Sequence, residues 1–268
     1  TVVCLTLAAA FLGAAPAGAA DEVHFAYKFE PGASHAYKAK FSQELDFGDF
    51  AMSIFVDMEY TETCTKVEDG AFTMELTFDK VDASRSMFDR LEEFAMGANL
   101  AGKTVTFTLQ PTGEVHDLRS SGYVEGWDAM KQVLESVVEA AYPHLPDKSV
   151  AAGDEWTLDE EKEVTPQGIE IVTNAFYAFK EMKEVQGRSC ACVETEVEST
   201  MGGTAAMPQG SFAADGEGKG KFEFYFDPAA GLIVKVKGKM DVRTDLTPED
   251  GGDTQEMSVG YSFERELR

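Results

Sequence analysis

Apolar and polar residues alternate along most of this chain, and the alternation breaks repeatedly at glycine. Residues 106–118, TFTLQPTGEVHDL, place Phe107, Leu109 and Val115 around Pro111 and Gly113. Residues 223–236, EFYFDPAAGLIVKV, place Phe224, Phe226 and Ile233 around Pro228 and Gly231. Each stretch predicts a β-hairpin, because proline presets the first turn position and glycine supplies the positive φ that returns the strand. A second pair of hairpins centres on Gly70 and Gly187, 117 positions apart. Around Gly70 the pattern predicts a type I turn with a glycine bulge, Cys64 opposite Met74 and Tyr60 opposite Phe78, so that Phe72, Met74, Leu76 and Phe78 share one apolar face. Around Gly187 it sets Phe179 opposite Val193. Residues 24–45 read as a strand, a turn at Pro31-Gly32 and a second strand. Gly153-Asp154 opens a strand carrying Trp156.

Two stretches change period. In 123–145, Trp127, Met130, Val133, Leu134, Val137, Val138 and Ala141 recur at three and four, with Asp128, Lys131, Glu135 and Glu139 opposite, and Pro143 and Pro146 end the run. A weaker stretch sets Met87, Phe88, Leu91, Phe94 and Ala98 on one helical face. The expected class is α+β: a long curved antiparallel sheet, as a half-barrel or two packed β units, with one or two helices on its concave face. The shared hairpin spacing divides the chain into a first β unit at 23–119, a connecting helix at 123–145 and a second β unit at 151–268, read as an internal duplication.

Residues 2–12 form a short apolar run, and Ala17-Gly18-Ala19 fits a cleavage site. Residues 1–19 are therefore expected to be a signal peptide, truncated at its start, and the protein to be exported to a periplasm or beyond. The apolar run is too short and alanine-diluted for the ~20 residues a membrane helix needs, so no integral membrane protein is expected after cleavage. With 48 acidic and 23 basic residues the formal charge is −25, which disfavours nucleic acid and anionic lipid headgroups. The mature chain keeps Cys64, Cys190 and Cys192, an odd number; Cys190 and Cys192 stand two apart on a strand, too far for an unstrained bridge. Buried free thiols are the expectation.

The succession FEPGASHAYK, DGAFTMELTFDKV, LAGKTVTFTLQPTGEV, a helix ending in proline, VAAGDEWTL and a G-x-x-C-A strand at Gly187 to Ala191 resembles a family of secreted bacterial proteins of unknown function over nearly the whole mature chain. By architecture the chain is also similar to the half-barrel carriers of the bacterial envelope, the lipoprotein-localisation factors and lipid-binding lipoproteins. That likeness implies a curved sheet wrapping helices around an apolar cavity, and the motifs shared with the secreted family carry no catalytic residues.

Sites of chemistry are scarce. DGEGKGKFEFYF, residues 215–226, contains G-x-G-x-G but runs into a strand, whereas a phosphate cradle needs a helix N-terminus. LDEEKE at 158–163 and PEDGGD at 248–253 lack EF-hand spacing and read as solvated loops. No cofactor, metal ligand or catalytic residue is assigned, and paired carboxylates for glycoside hydrolysis cannot be located. The expected activity is non-enzymatic: a lipid, or an apolar segment of another envelope protein, sheltered in a cavity lined by Trp127, Met130, Leu134, Val137, Val138, Phe72, Met74, Phe78, Phe224 and Phe226. The alternative is an interaction module with an acidic surface and a filled core.

Overall fold

In the computed structural model, residues 22–268 are described apart from 49, 88–89, 94–98, 159–160, 166–167 and 208–209. The expected signal segment and Cys4 lie outside them, as do Phe88, Phe94 and Ala98. Thirteen strands follow in order: β1 (Ser34–Phe47), β2 (Phe50–Glu68), β3 (Ala71–Met87), β4 (Arg90–Glu93), β5 (Thr104–Leu109), β6 (Val115–Ser120), β7 (Glu155–Thr157), β8 (Glu161–Val164), β9 (Ile169–Val185), β10 (Arg188–Met207), β11 (Gly210–Asp227), β12 (Leu232–Pro248) and β13 (Gln255–Leu267). One helix, α1 (Trp127–Ala141), separates β6 from β7 among the described residues.

All thirteen strands join one antiparallel sheet in the order β6-β5-β3-β2-β1-β13-β12-β11-β10-β9-β7, with β4 on β3 and β8 on β9. This corrects the expected class. The protein is nearly all β, and a single open sheet replaces the two packed units, because β1 and β13 pair along 11 residues and join the two halves edge to edge. Six strands of 17–20 residues, against a common length of about 5–6, leave one 15-residue helix as a minor element. The first part of the second expected helical stretch is also corrected, while 94–98 lie outside the described residues and Asn99 and Leu100 are helical. Ser84–Met87 continue β3 and pair with Arg90–Glu93, the Arg85 guanidinium reaching Glu92 across the hairpin.

Local registers follow the side-chain period. Cys64 pairs with Met74, Tyr60 with Phe78 and Phe179 with Val193. The turns are tighter than the expected bulged form. Asp69 and Gly70 both take positive φ between the paired Glu68 and Ala71, as do Gln186 and Gly187 between Val185 and Arg188, which makes each a two-residue hairpin of mirror-image type I. Residues 24–29 form no ladder strand. They run as an extended strap, anchored by a bridge between Val23 and Val150, and bury Phe25, Tyr27 and Phe29.

The sheet curls toward the face that carries Tyr37, Ala39 and Phe41, here called the inner face. Phe107 on β5 and Phe226 on β11 are linked through Tyr142 and Tyr27 by ring-to-ring steps of 5.5, 5.7 and 5.8 Å. These steps keep the two sheet rings within about 17 Å, whereas six strand spacings of ~4.8 Å would hold them about 29 Å apart on a flat sheet.

A candidate apolar binding face

The inner face has two ends. At the closed end, near the turns after Leu109 and Asp227, the strap and α1 lie over the sheet. Tyr27 N donates to Pro111 O at 3.0 Å, and Lys28 N to Gly231 O at 3.0 Å, so the strap is gripped by both hairpin turns whose sequences match. Gly113 permits this crowding, since a Cβ there would stand 2.6 Å from Pro143 O. Phe25 packs on Trp156, Phe179 and Phe226, and Phe29 on Phe72.

Helix α1 turns Met130, Leu134, Val137, Val138 and Ala141 toward the sheet, all buried. Its C-terminus is held by a buried polar group. Arg265 on β13, 1% exposed, donates from Nη1 to Ala141 O at 2.7 Å and from Nη2 to Glu62 on β2, which is 0% exposed. The Tyr142 hydroxyl also donates to Glu62, and the guanidinium lies 3.7 Å above the Tyr37 ring and 4.9 Å above the Tyr142 ring. The arrangement satisfies the helix's last carbonyl with a cation whose charge Glu62 balances. Burial pushes the Tyr60 phenol up to about 12 although Arg265 pulls it down. Burial and then the Glu62 charge raise Tyr142 further. These phenols stay protonated and act as donors and ring faces at ordinary pH.

The structure brings the ten candidate lining residues into one core. Trp127 is partly buried against it, and Met130, Leu134, Val137, Val138, Phe72, Met74, Phe78, Phe224 and Phe226 are buried within it. The space among α1, β2 and β3, bounded by Met58, Tyr60, Leu76, Phe78, Leu134, Val137 and Val138, amounts to about 10 Å³. A single water is the most it could hold.

At the other end the strands run on. Cross-strand pairing carries the inner face outward in rows: Gln43, Tyr261, Met240, Gly220 and Val197; then Leu45, Val259, Val242, Gly218 and Ser199; then Phe47, Met257, Thr244, Gly216 and Met201. Met52 and Met87 extend the second row across β2 and β3. Leu45, Met52, Met240, Val242, Met257 and Tyr261 are half-buried. None of these rows contains a carboxylate, in a chain with 48 of them.

The opposite face carries rows of charge. Lys40, Glu264, Lys237, Glu223 and Glu194 stand side by side on consecutive strands. Lys237 pairs with Glu223 at 2.8 Å, Lys235 with Glu264 at 2.8 Å and Lys221 with Glu196 at 2.7 Å. A trough of about 770 Å³ is lined by Lys40, Glu194, Glu196, Lys221, Glu223, Lys237 and Glu264, with Thr195, Phe222 and Phe263 also at its wall.

Sequence reading missed the open end. Its one signal was DGEGKGK, which places Gly216, Gly218 and Gly220 on the inner face of β11. There glycine answers close approach, because a Cβ on Gly216 would stand 2.5 Å from Arg243 O and one on Gly218 would be 2.9 Å from Met240 Cε. The cysteines play no part in this face's chemistry: Cys64, Cys190 and Cys192 are free and buried, and burial pushes Cys190 and Cys192 up to about 11. No group of metal-binding side chains occurs among the described residues, and no helix there is long and apolar enough to cross a membrane.

The fold and site thus define a class: an open, curved antiparallel sheet with one apolar and one charged face. No protein-family model matches the chain, and no curated protein does. Among solved structures the chain is similar to one described as lipid–protein interactions in lipovitellin, with a TM-score of 0.52 and 12% identity, over 90% of this chain and 25% of that one. The chain therefore spans a quarter of the length of that protein, and the likeness is one of fold.

Proposed function

We propose that this is an exported, non-enzymatic protein that shelters an apolar ligand, a lipid or an apolar segment of another protein, on the open end of its inner face. The observation that carries the reading is the persistence of the alternation. For three rows beyond the packed core the inner positions, Gln43 apart, remain apolar, small or hydroxyl-bearing and are buried or half-buried, while the outer positions of β11 and β12 are lysine, arginine, glutamate and aspartate. A strand free on both faces gains nothing from keeping one side apolar, and a contiguous half-buried apolar surface of this kind marks a binding surface. Five methionines, Met52, Met87, Met201, Met240 and Met257, lie on it, and methionine's flexible thioether suits surfaces that repack around varied apolar partners. The lipovitellin structure, whose description concerns lipid–protein interactions, lends the lipid version its support.

The test is titration of the purified, delipidated protein with a fluorescent fatty acyl probe, alongside native mass spectrometry of protein extracted from its source. Saturable probe binding and a co-purified apolar mass support the reading. A clean apo mass together with no probe binding overturns it.

A further inference from the structure

Two hydroxyls on the inner face of β10 have no partner. Ser199 is 4% exposed and Thr195 is 6% exposed, and neither Oγ atom meets a donor or acceptor. A buried hydroxyl without a partner costs roughly 1–3 kcal/mol. Thr244, across the glycines on β12, spends its own hydroxyl on the Met201 sulfur at 3.0 Å. Ser199 instead leans over Gly218, where an added Cβ would collide with its Oγ.

The glycines set the shape of this place. Gly216 and Gly218 form a floor without side chains, flanked by Ser199 and Met201 on β10 and by Val242 and Thr244 on β12. Phe222 closes the core side, its ring 3.0 Å from where a Cβ of Gly220 would stand. The cover is the Met240 methyl, reaching out from the Gly220 row to within 2.9 Å of an added Cβ on Gly218, and the Met201 side chain beside Gly216, its Cγ 2.8 Å from an added Cβ there. The Met240 side chain is unbranched, and its end can swing aside.

We infer that β10, β11 and β12 form a site for a linear acyl chain bearing a neutral oxygen, its ester carbonyl accepting a hydrogen bond from the Ser199 hydroxyl and its methylenes lying over Gly218 in place of the Met240 methyl and running on past Gly216. This rests on the apolar-ligand reading above and names its ligand class. An ester is favoured over a carboxylate because the inner positions of β9–β13 carry one cation, Arg265, already engaged by Glu62 and Ala141. A carboxylate buried at Ser199 would stay unpaired, at far greater cost than a neutral carbonyl.

The experiment is displacement of a fluorescent acyl probe by 1-monooleoylglycerol, 1-oleoyl-lysophosphatidylcholine and oleate. Wild type, Ser199→Ala, Met240→Trp and the outer-face control Thr200→Ala are compared. Both esters are expected to displace the probe at similar concentrations, with oleate requiring at least ~10-fold more. Ser199→Ala should weaken both esters about two- to tenfold, the loss of one hydrogen bond, and leave oleate unchanged. Its melting temperature should hold or rise, since it removes an unpaired buried group. Met240→Trp, which puts a bulky ring over the Gly218 floor, should weaken all three, and Thr200→Ala none. Esters unaffected by both Ser199→Ala and Met240→Trp, or oleate displacing best, would overturn the site while leaving apolar binding in place. Failure of the probe to bind wild type would instead sink the broader reading.

Discussion

The two ends of the inner face share one sheet, one side-chain period and the same strands, yet they differ in what they do with apolar surface. At the closed end, Tyr37, Phe224 and Phe226 are buried beneath the strap and α1, and the neighbouring gap holds about 10 Å³. At the open end, Met52, Met240, Val242 and Met257 occupy equivalent inner positions and remain half-buried. Residue choice follows the difference. Aromatic rings that pack in fixed geometry fill the closed end, and methionine, glycine and small hydroxyls fill the open one. The contrast separates stability from binding: the first end holds the fold, and the second is free to take a partner.

The largest effect should come from the buried ion pair. Arg265→Met strands the Glu62 carboxylate and leaves Ala141 O without its donor, at an expected cost of about 3–5 kcal/mol in urea unfolding. Pairing that change with Glu62→Leu should restore most of the loss, because the desolvated charge is gone. A single mutant within about 1 kcal/mol of wild type would mean that this pair does not secure the closed end.

Next comes a matched pair of truncations. Phe226→Ala, which removes contacts to Phe25 and Tyr27, should cost about 3–5 kcal/mol. Met257→Ala, at a half-buried position, should cost about 1 kcal/mol or less. Equal costs would erase the distinction between the ends. Val242→Asp carries the comparison into function: a carboxylate at the middle of the open face should abolish acyl-probe binding, with circular dichroism showing the sheet retained.

A smaller effect concerns pH. Asp227 closes the β11–β12 turn by accepting from Ala229 N and Ala230 N at 3.0 Å and from Arg188 at 2.8 Å. Burial raises its pKa, but these donors outweigh burial and hold it below the ordinary carboxylate value. A depressed folded pKa contributes stability above the unfolded value of about 3.9, and the contribution is lost as pH falls through the folded value. The melting-temperature gap between wild type and Asp227→Asn should therefore narrow as the pH is lowered below about 4. A gap that is constant or widens with acidification would contradict this account of the turn.

The sequence made local pairing legible and long-range pairing opaque. Register across Gly70 and Gly187 followed from period two and a turn that fixes the offset, and α1 followed from its three-and-four spacing and Pro143. The class did not follow. Stretches such as EVESTMGGTAAM and GEGKGK are rich in glycine, glutamate and lysine, which have low strand propensity, and they are strands because neighbours on both sides complete their ladders. Met87 and Leu91 fitted a helical face by spacing alone, but the cross-strand pairing of β3 with β4 decided their state. The open face was hidden for a related reason. It is assembled from rows crossing β1, β13, β12, β11 and β10, and no local pattern states that β1 pairs with β13.

The central claim, that the open end of the inner face takes the apolar ligand, is tested most directly by photolabelling with a diazirine-bearing acyl probe, followed by peptide mapping. The account predicts saturable label on peptides containing Met201, Gly218, Met240 and Met257, competed by unlabelled ligand, with little on α1. Saturable label confined to α1 and the strap, or to the charged outer face, would contradict it.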